Sequence, residues 1–179
     1  MNKNPESYQW LVLFSLQALA LILLSQLNQS LSTVSLFLFI NGLFIAFPAL
    51  YLPLGQGVAS IILLTIFYDS GESWKLGTSL VPYLMIFTVI YHIRGRIRYE
   101  KKRVYKSVIL LANLTIYIYY TVLAGIQYGV TSPFVFLNLV HLIVSQLVLL
   151  TVSGWLINFQ KDVFQMFKID IDASLRAAK

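Results

Sequence analysis

Charge and apolar text are kept apart in this chain, and that separation limits what it can fold into. Between Ile93 and Ser107 stand Arg94, Arg96, Arg98, Lys101, Lys102, Arg103 and Lys106, seven of the thirteen Lys and Arg residues. Four more, Lys161, Lys168, Arg176 and Lys179, follow the last apolar run. A soluble domain scatters its charges over its surface. Cations gathered at the ends of long apolar segments are the pattern of cytoplasmic loops in bilayer proteins. The expected fold class is therefore an all-α membrane protein.

Composition supports this reading. Hydrophobic residues make up 58% of the chain and charged ones 11%, against the ~25% charged residues usual in soluble domains. A length of 179 residues holds about six spans of ~20 residues with short connections and leaves no room for an enzymatic head. The net charge of +6 points to anionic lipid headgroups of the inner leaflet and not to nucleic acid, because no soluble module is left to carry a basic face. The absence of cysteine excludes disulfides, thiolate metal sites and cysteine nucleophiles. Ala18-Leu19-Ala20 imitates a signal-peptidase site, but the apolar run continues to Leu24, so the first segment is expected to be a retained span.

Six spans are expected, at about 10–27, 34–50, 57–68, 76–93, 108–126 and 134–157. Pro48, Pro53, Gly55 and Gly57 mark a break between the second and third. Residues 1–157 form the transmembrane domain in this reading. Residues 158–179 form a cytoplasmic tail that continues a helical beat from Leu156 through Phe159, Val163, Met166 and Phe167, as in an amphipathic extension lying at the headgroup level. Six spans place twelve basic residues on one side and only Lys75 on the other. The positive-inside rule then makes both termini cytoplasmic.

Polar residues inside spans are functional suspects. Asn138, His141 and Ser145 share one face of the sixth span, with Gln146 beside it, Asn113 and Thr115 in the fifth span and Gln17 in the first. Two readings stand: a polar site, or interhelical hydrogen bonding at ~0.6 kcal/mol per contact. No carboxylate is placed to orient His141, and His92 lies on another segment. No catalytic residues, cofactor or metal site are expected, and the chain is read as non-enzymatic. Asp69 at a span edge is either a capping turn former or part of a fixed surface motif.

The stretch from Ala59 to Glu100 resembles the MreD family of the bacterial rod-shape system. The resemblance rests on Ile66-Phe67-Tyr68-Asp69, Ser70-Gly71 and Leu76-Gly77, with eight residues from Asp69 to Gly77 and a basic loop after the next span. It implies a turn motif of Asp69, Ser70, Gly71, Leu76 and Gly77. It also implies a fold similar to the substrate-binding subunit of energy-coupling-factor transporters. The implied function is a scaffold of the cell-wall elongation machinery in the bacterial inner membrane, binding an MreC-like single-span partner. The alternative is a vitamin-type substrate-binding transport subunit, to whose outward cavity Trp74, Asp69 and the Tyr117, Tyr119 and Tyr120 group would contribute.

Overall fold

The computed structural model describes residues 8–71, 75–99 and 102–169, with backbone alone for 96–99 and 102–104. Among the described residues every regular element is helical. The order is α1 (Gln9–Leu31), a 3-10 turn (Ser32–Val34), α2 (Asn41–Tyr51), α3 (Leu54–Ser70), α4 (Leu80–Tyr99), α5 (Lys102–Tyr128) and α6 (Ser132–Met166). Three helices are long and apolar enough to cross a membrane: α1 with its 3-10 turn, α5 from Tyr105, and α6. The shorter helices α2, α3 and α4 are also apolar.

Burial explains the arrangement. On α5 the buried residues are Ile109, Ala112, Asn113, Ile116, Tyr117 and Tyr120, a stripe with the 3.6-residue period of a helix packed on one side. On α6 the stripe is Ser145, Leu149, Ser153, Ile157, Gln160 and Phe164. The remaining faces of α1, α5 and α6 stay apolar although exposed, as at Leu23, Leu111, Ile118, Phe136, Leu139 and Leu147. An apolar exterior on this scale is suited to lipid and not to water.

Helix α2 is the centre. Residues Asn41 through Leu50 are all buried, as expected of a helix that is hydrophobic all round. It packs chiefly on α5 and α4. Its C-terminal end lies near the end of α4 through Arg94, the start of α5 through Tyr105 and the far part of α6 through Lys161. This is the basic end of the molecule. Asp69, Gly77, Tyr120 and Asn28 mark the opposite end.

Element boundaries differ from the sequence expectation in two informative places. The helix of the second apolar run begins at Asn41 and not near residue 34, because Ser35 adopts a left-handed conformation (φ 55°) and 36–40 is not helical. Helix α6 continues through residue 157 to Met166 without a break. The segment expected as an amphipathic extension at the headgroup level is thus part of α6. Its packed face is Ile157, Gln160 and Phe164, and the Phe164 ring lies 5.8 Å from that of Phe47. Phe159, Met166 and Phe167 point outward instead. The segment carries apolar side chains on both faces, and contact with α2 selects one. Residues 170–179 of the expected tail, including Arg176 and Lys179, lie outside the described residues.

Candidate functional site

Backbone that leaves the helix inside an apolar bundle exposes N–H and C=O groups with no water to meet them, so side chains must satisfy them. The segment from Leu38 to Gly42 is such a case, and together with the exposed Ser35 it is held from three helices. From α1, the Asn28 amide grips Leu38 at both ends, donating Nδ2 to its C=O (2.9 Å) and accepting its N–H on Oδ1 (2.8 Å). From α5, Asn113 Nδ2 donates to the Phe39 C=O (2.8 Å), and its Oδ1 accepts the Gly42 N–H (3.0 Å). From α6, Ser145 Oγ accepts the Phe39 N–H (2.9 Å), and His141 Nε2 lies 2.9 Å from the Ser35 C=O.

The same logic extends into α2. Pro48 lacks an N–H, so the C=O of Phe44 one turn earlier loses its helical partner. Gln17 Nε2 of α1 donates to that oxygen at 2.8 Å. At the break before α3, Arg94 Nη1 donates to the Leu52 C=O (2.9 Å). Its guanidinium stacks 3.8 Å above the Tyr91 ring while Nη2 donates to the Tyr91 hydroxyl (3.0 Å).

The polar residues that the sequence marks as suspects are therefore brought together only in part. His141 and Ser145 of the expected polar face both reach the irregular segment. Asn138 does not: its Nδ2 donates to Phe134 of its own helix, and its carbonyl groups accept from the Tyr117 hydroxyl. These bonds hold backbone and neighbouring helices. Asn28 and Arg94 have no place in that expected face, although a buried side-chain amide beside an Asn41-Gly42 turn dipeptide is a readable sign of a break.

Gln17→Leu is expected to orphan the Phe44 carbonyl and to lower stability by about 1–3 kcal/mol. Pro48→Ala restores a helical N–H to that carbonyl, so the two substitutions couple by roughly 1 kcal/mol in a double-mutant cycle of thermal unfolding in detergent. Additive losses would show that Gln17 is not compensating for the proline.

The Asp69 turn forms the second polar cluster. Asp69 is 2% exposed. Its Oδ2 accepts the Gly77 N–H (2.7 Å) and the Ser79 N–H (3.2 Å). Its Oδ1 accepts the Ser79 hydroxyl, which is also in hydrogen-bond contact with the Tyr120 hydroxyl. The carboxylate thus caps the approach to α4, placing negative charge at a helix N-terminus where the macrodipole favours it. Gly77 has φ +91°, a conformation that side chains rarely tolerate, and this turns its N–H toward Asp69. Of the turn motif, Ser70 donates to the Phe67 C=O (2.7 Å), Gly71 ends α3, and Leu76 is 70% exposed. Ser79 and Tyr120 complete the clasp, a role their sequence positions do not reveal.

At the basic end, Lys106 Nζ donates to the Leu150 C=O (3.3 Å), and the Lys161 ammonium lies 4.5 Å above the Tyr51 ring. Lys101 and the side chains of Arg96, Arg98, Lys102 and Arg103 lie outside the described residues, as does Trp74. Tyr117, Tyr119 and Tyr120 bond to Asn138, Thr78 and Ser79 respectively. Among the described residues no three His, Cys, Asp or Glu side chains gather as a metal-ligand set. Compared with known proteins, the chain matches no family model, no curated protein and no solved structure.

Proposed function

We propose that this protein is a non-enzymatic integral membrane scaffold of the MreD type, acting in the cell-wall elongation machinery of the bacterial inner membrane. The observation that carries the reading is the Asp69 clasp. The eight-residue interval from Asp69 to Gly77 and the glycine at its end have a physical reason in the bond between them. That interval is the core of the resemblance to the MreD family. The polar side chains around α2 support a scaffold as well, since they hold backbone and leave a fixed shape for partners to pack on.

In this reading six segments cross the bilayer in the plan of the energy-coupling-factor substrate-binding subunit. Helix α2 has 11 residues and rises only about 16 Å. The non-helical residues 36–40 before it add length to that rise, at up to about 3.3 Å each, toward the ~30 Å core. Both termini then lie in the cytoplasm, with the cations from Arg94 to Lys106 against the anionic leaflet. The MreC-like partner packs on the apolar exterior of α1, α5 or α6.

Two experiments test this. The chain has no cysteine, so single-cysteine variants need no altered background. Ser70→Cys is expected to react with an impermeant maleimide from outside intact cells, and Gly95→Cys only after lysis. Reaction of both from outside would remove the proposed topology. Affinity isolation from native membranes is expected to retrieve a single-span coiled-coil protein in stoichiometric amount. An ATPase-containing complex and a bound vitamin would overturn the scaffold role in favour of a transport subunit.

A further inference from the structure

A groove of about 600 Å³ runs along the exterior between α5 and α6, within the ~300–1,000 Å³ of ligand sites. From Leu142 to Leu150 it extends about 12 Å along α6. Of the nine described residues that line it, seven are Leu or Ile and none is Gly or Ala. Leu111, Ile143, Leu147 and Leu150 among them are exposed, so the groove is open to the acyl-chain region of a surrounding bilayer. Partner helices pack closely where small residues let backbones approach, and these branched walls prevent that. A flexible acyl chain needs no such approach.

One end of the groove carries a cation. Lys106 stands one turn before Leu110, and its Nζ donates to the Leu150 C=O (3.3 Å). Leu110 and Leu150 both line the groove. The lysine stem reaches α6 at Gly154, where a Cβ would meet Lys106 Cε at 3.8 Å. The next residue, Trp155, is 66% exposed and stacks on Phe159 at 5.7 Å. An exposed tryptophan beside an apolar face marks the headgroup level. Lys106 thus lies at the depth of lipid phosphates, and the groove descends from it into hydrocarbon. Arg94 and Lys161, at the same end of the molecule, are engaged elsewhere, on Leu52 and Tyr91 and on Tyr51 respectively. The Lys106 ammonium has three donors and, among the described residues, commits one. Arg103 stands one turn before Ser107 on α5 and adds positive charge at this end.

We propose that the groove holds one acyl chain of an anionic phospholipid, with the phosphate at the Lys106 ammonium. The lysine supplies a point charge to the phosphate, and the leucine walls take the chain. Of the function proposed above, the site rests only on the cytoplasmic placement of this end, which sets the leaflet that supplies the lipid.

The test uses the full chain in nanodiscs and two probes with the same diazirine-bearing acyl chains, a phosphatidylglycerol and a phosphatidylcholine, at equal mole fraction. Labelled positions are mapped by peptide mass spectrometry. Phosphatidylglycerol is expected to label the peptides of Leu111, Leu114, Ile143 and Leu147 about fivefold more than phosphatidylcholine. Lys106→Gln is expected to remove most of that preference, Lys106→Arg to retain it, and Lys161→Gln, away from the groove, to leave it unchanged. Leu147→Trp fills the groove and lowers labelling by both probes while circular dichroism reports an intact helical fold; if that variant does not fold, Lys106→Gln decides. The proposal is overturned by equal labelling with the two probes, or by equal losses from Lys106→Gln and Lys161→Gln, which assign the preference to general surface charge. It is also overturned by a groove that neither probe labels, with disulfide-linked dimers of Leu147→Cys then assigning the groove to a second copy of the chain. A nanodisc exposes both leaflets, so these outcomes do not depend on topology. Reaction of Gly95→Cys from outside intact cells would move the lipid to the outer leaflet and leave the site standing.

Discussion

Asp69→Ala is expected to destabilise the protein by about 2–4 kcal/mol, because it orphans the buried Ser79 N–H at a cost of ~1–3 kcal/mol, leaves the N–H of the exposed Gly77 to water, and removes a charge-assisted acceptor from the Ser79 hydroxyl. Removing a buried carboxylate also relieves its desolvation, which keeps the loss below the simple sum. Asp69→Asn keeps one acceptor oxygen but turns an NH₂ group toward donors, so it falls between alanine and wild type. Gly77→Ala adds about 1–2 kcal/mol of left-handed backbone strain at φ +91°, and nothing within 4 Å opposes its Cβ. Tyr120→Phe is the mildest change, since both backbone N–H groups remain capped. Thermal unfolding in detergent, followed by circular dichroism, gives the ranking. Equal small shifts for Asp69→Ala and Tyr120→Phe would show that the carboxylate does not hold the turn.

Asn113→Leu is expected to cost about 2–4 kcal/mol, since it leaves the Gly42 N–H and the Phe39 C=O without partners in a dry interior. Asn113 is fully buried, so water cannot replace it. Its partner position tests the same contact from the other side. A Cβ on Gly42 would stand 2.4 Å from the Asn113 backbone nitrogen and 2.6 Å from its Cα. Backbone cannot rotate away as a side chain can, so Gly42→Ala forces α2 off α5 and costs ~1–3 kcal/mol or more. Gly55→Ala provides the control. Its Cβ meets nothing within 4 Å, and the gain in helix propensity makes it neutral or stabilising by up to ~1 kcal/mol. If Gly42→Ala and Gly55→Ala unfold at the same temperature, the close approach of α2 and α5 does not exist in solution.

Asn113 bonds to groups distant in sequence, and such pairings are the hardest to read from a chain. The long helices α1, α5 and α6 were legible because an apolar run of 20 or more residues has few alternatives. The break after α2 was legible because Pro48 and Pro53 remove backbone donors locally. The irregular segment before α2 was not. Residues 34–50 read as one apolar span, and the signal against it, Asn41-Gly42, is weak alone. The segment stays non-helical because Asn28, Asn113 and Ser145 arrive from three other helices to receive its backbone. Asp69 illustrates the same limit. Its sequence admitted a cap or a surface motif, and only the structure shows the capping bonds from Gly77 and Ser79.

By itself, the sequence determined the helical class, the three long apolar helices and the crowding of positive charge at one end of the molecule. These properties follow from side-chain hydrophobicity and charge, which each residue carries regardless of its neighbours. Tertiary structure alone decided that α2 is a short buried core helix, that α6 past residue 157 turns Gln160 and Phe164 inward, and that the polar side chains serve the backbone. The reason is that a hydrogen bond in an apolar interior belongs to two groups at once, and only the folded arrangement brings the second group within reach.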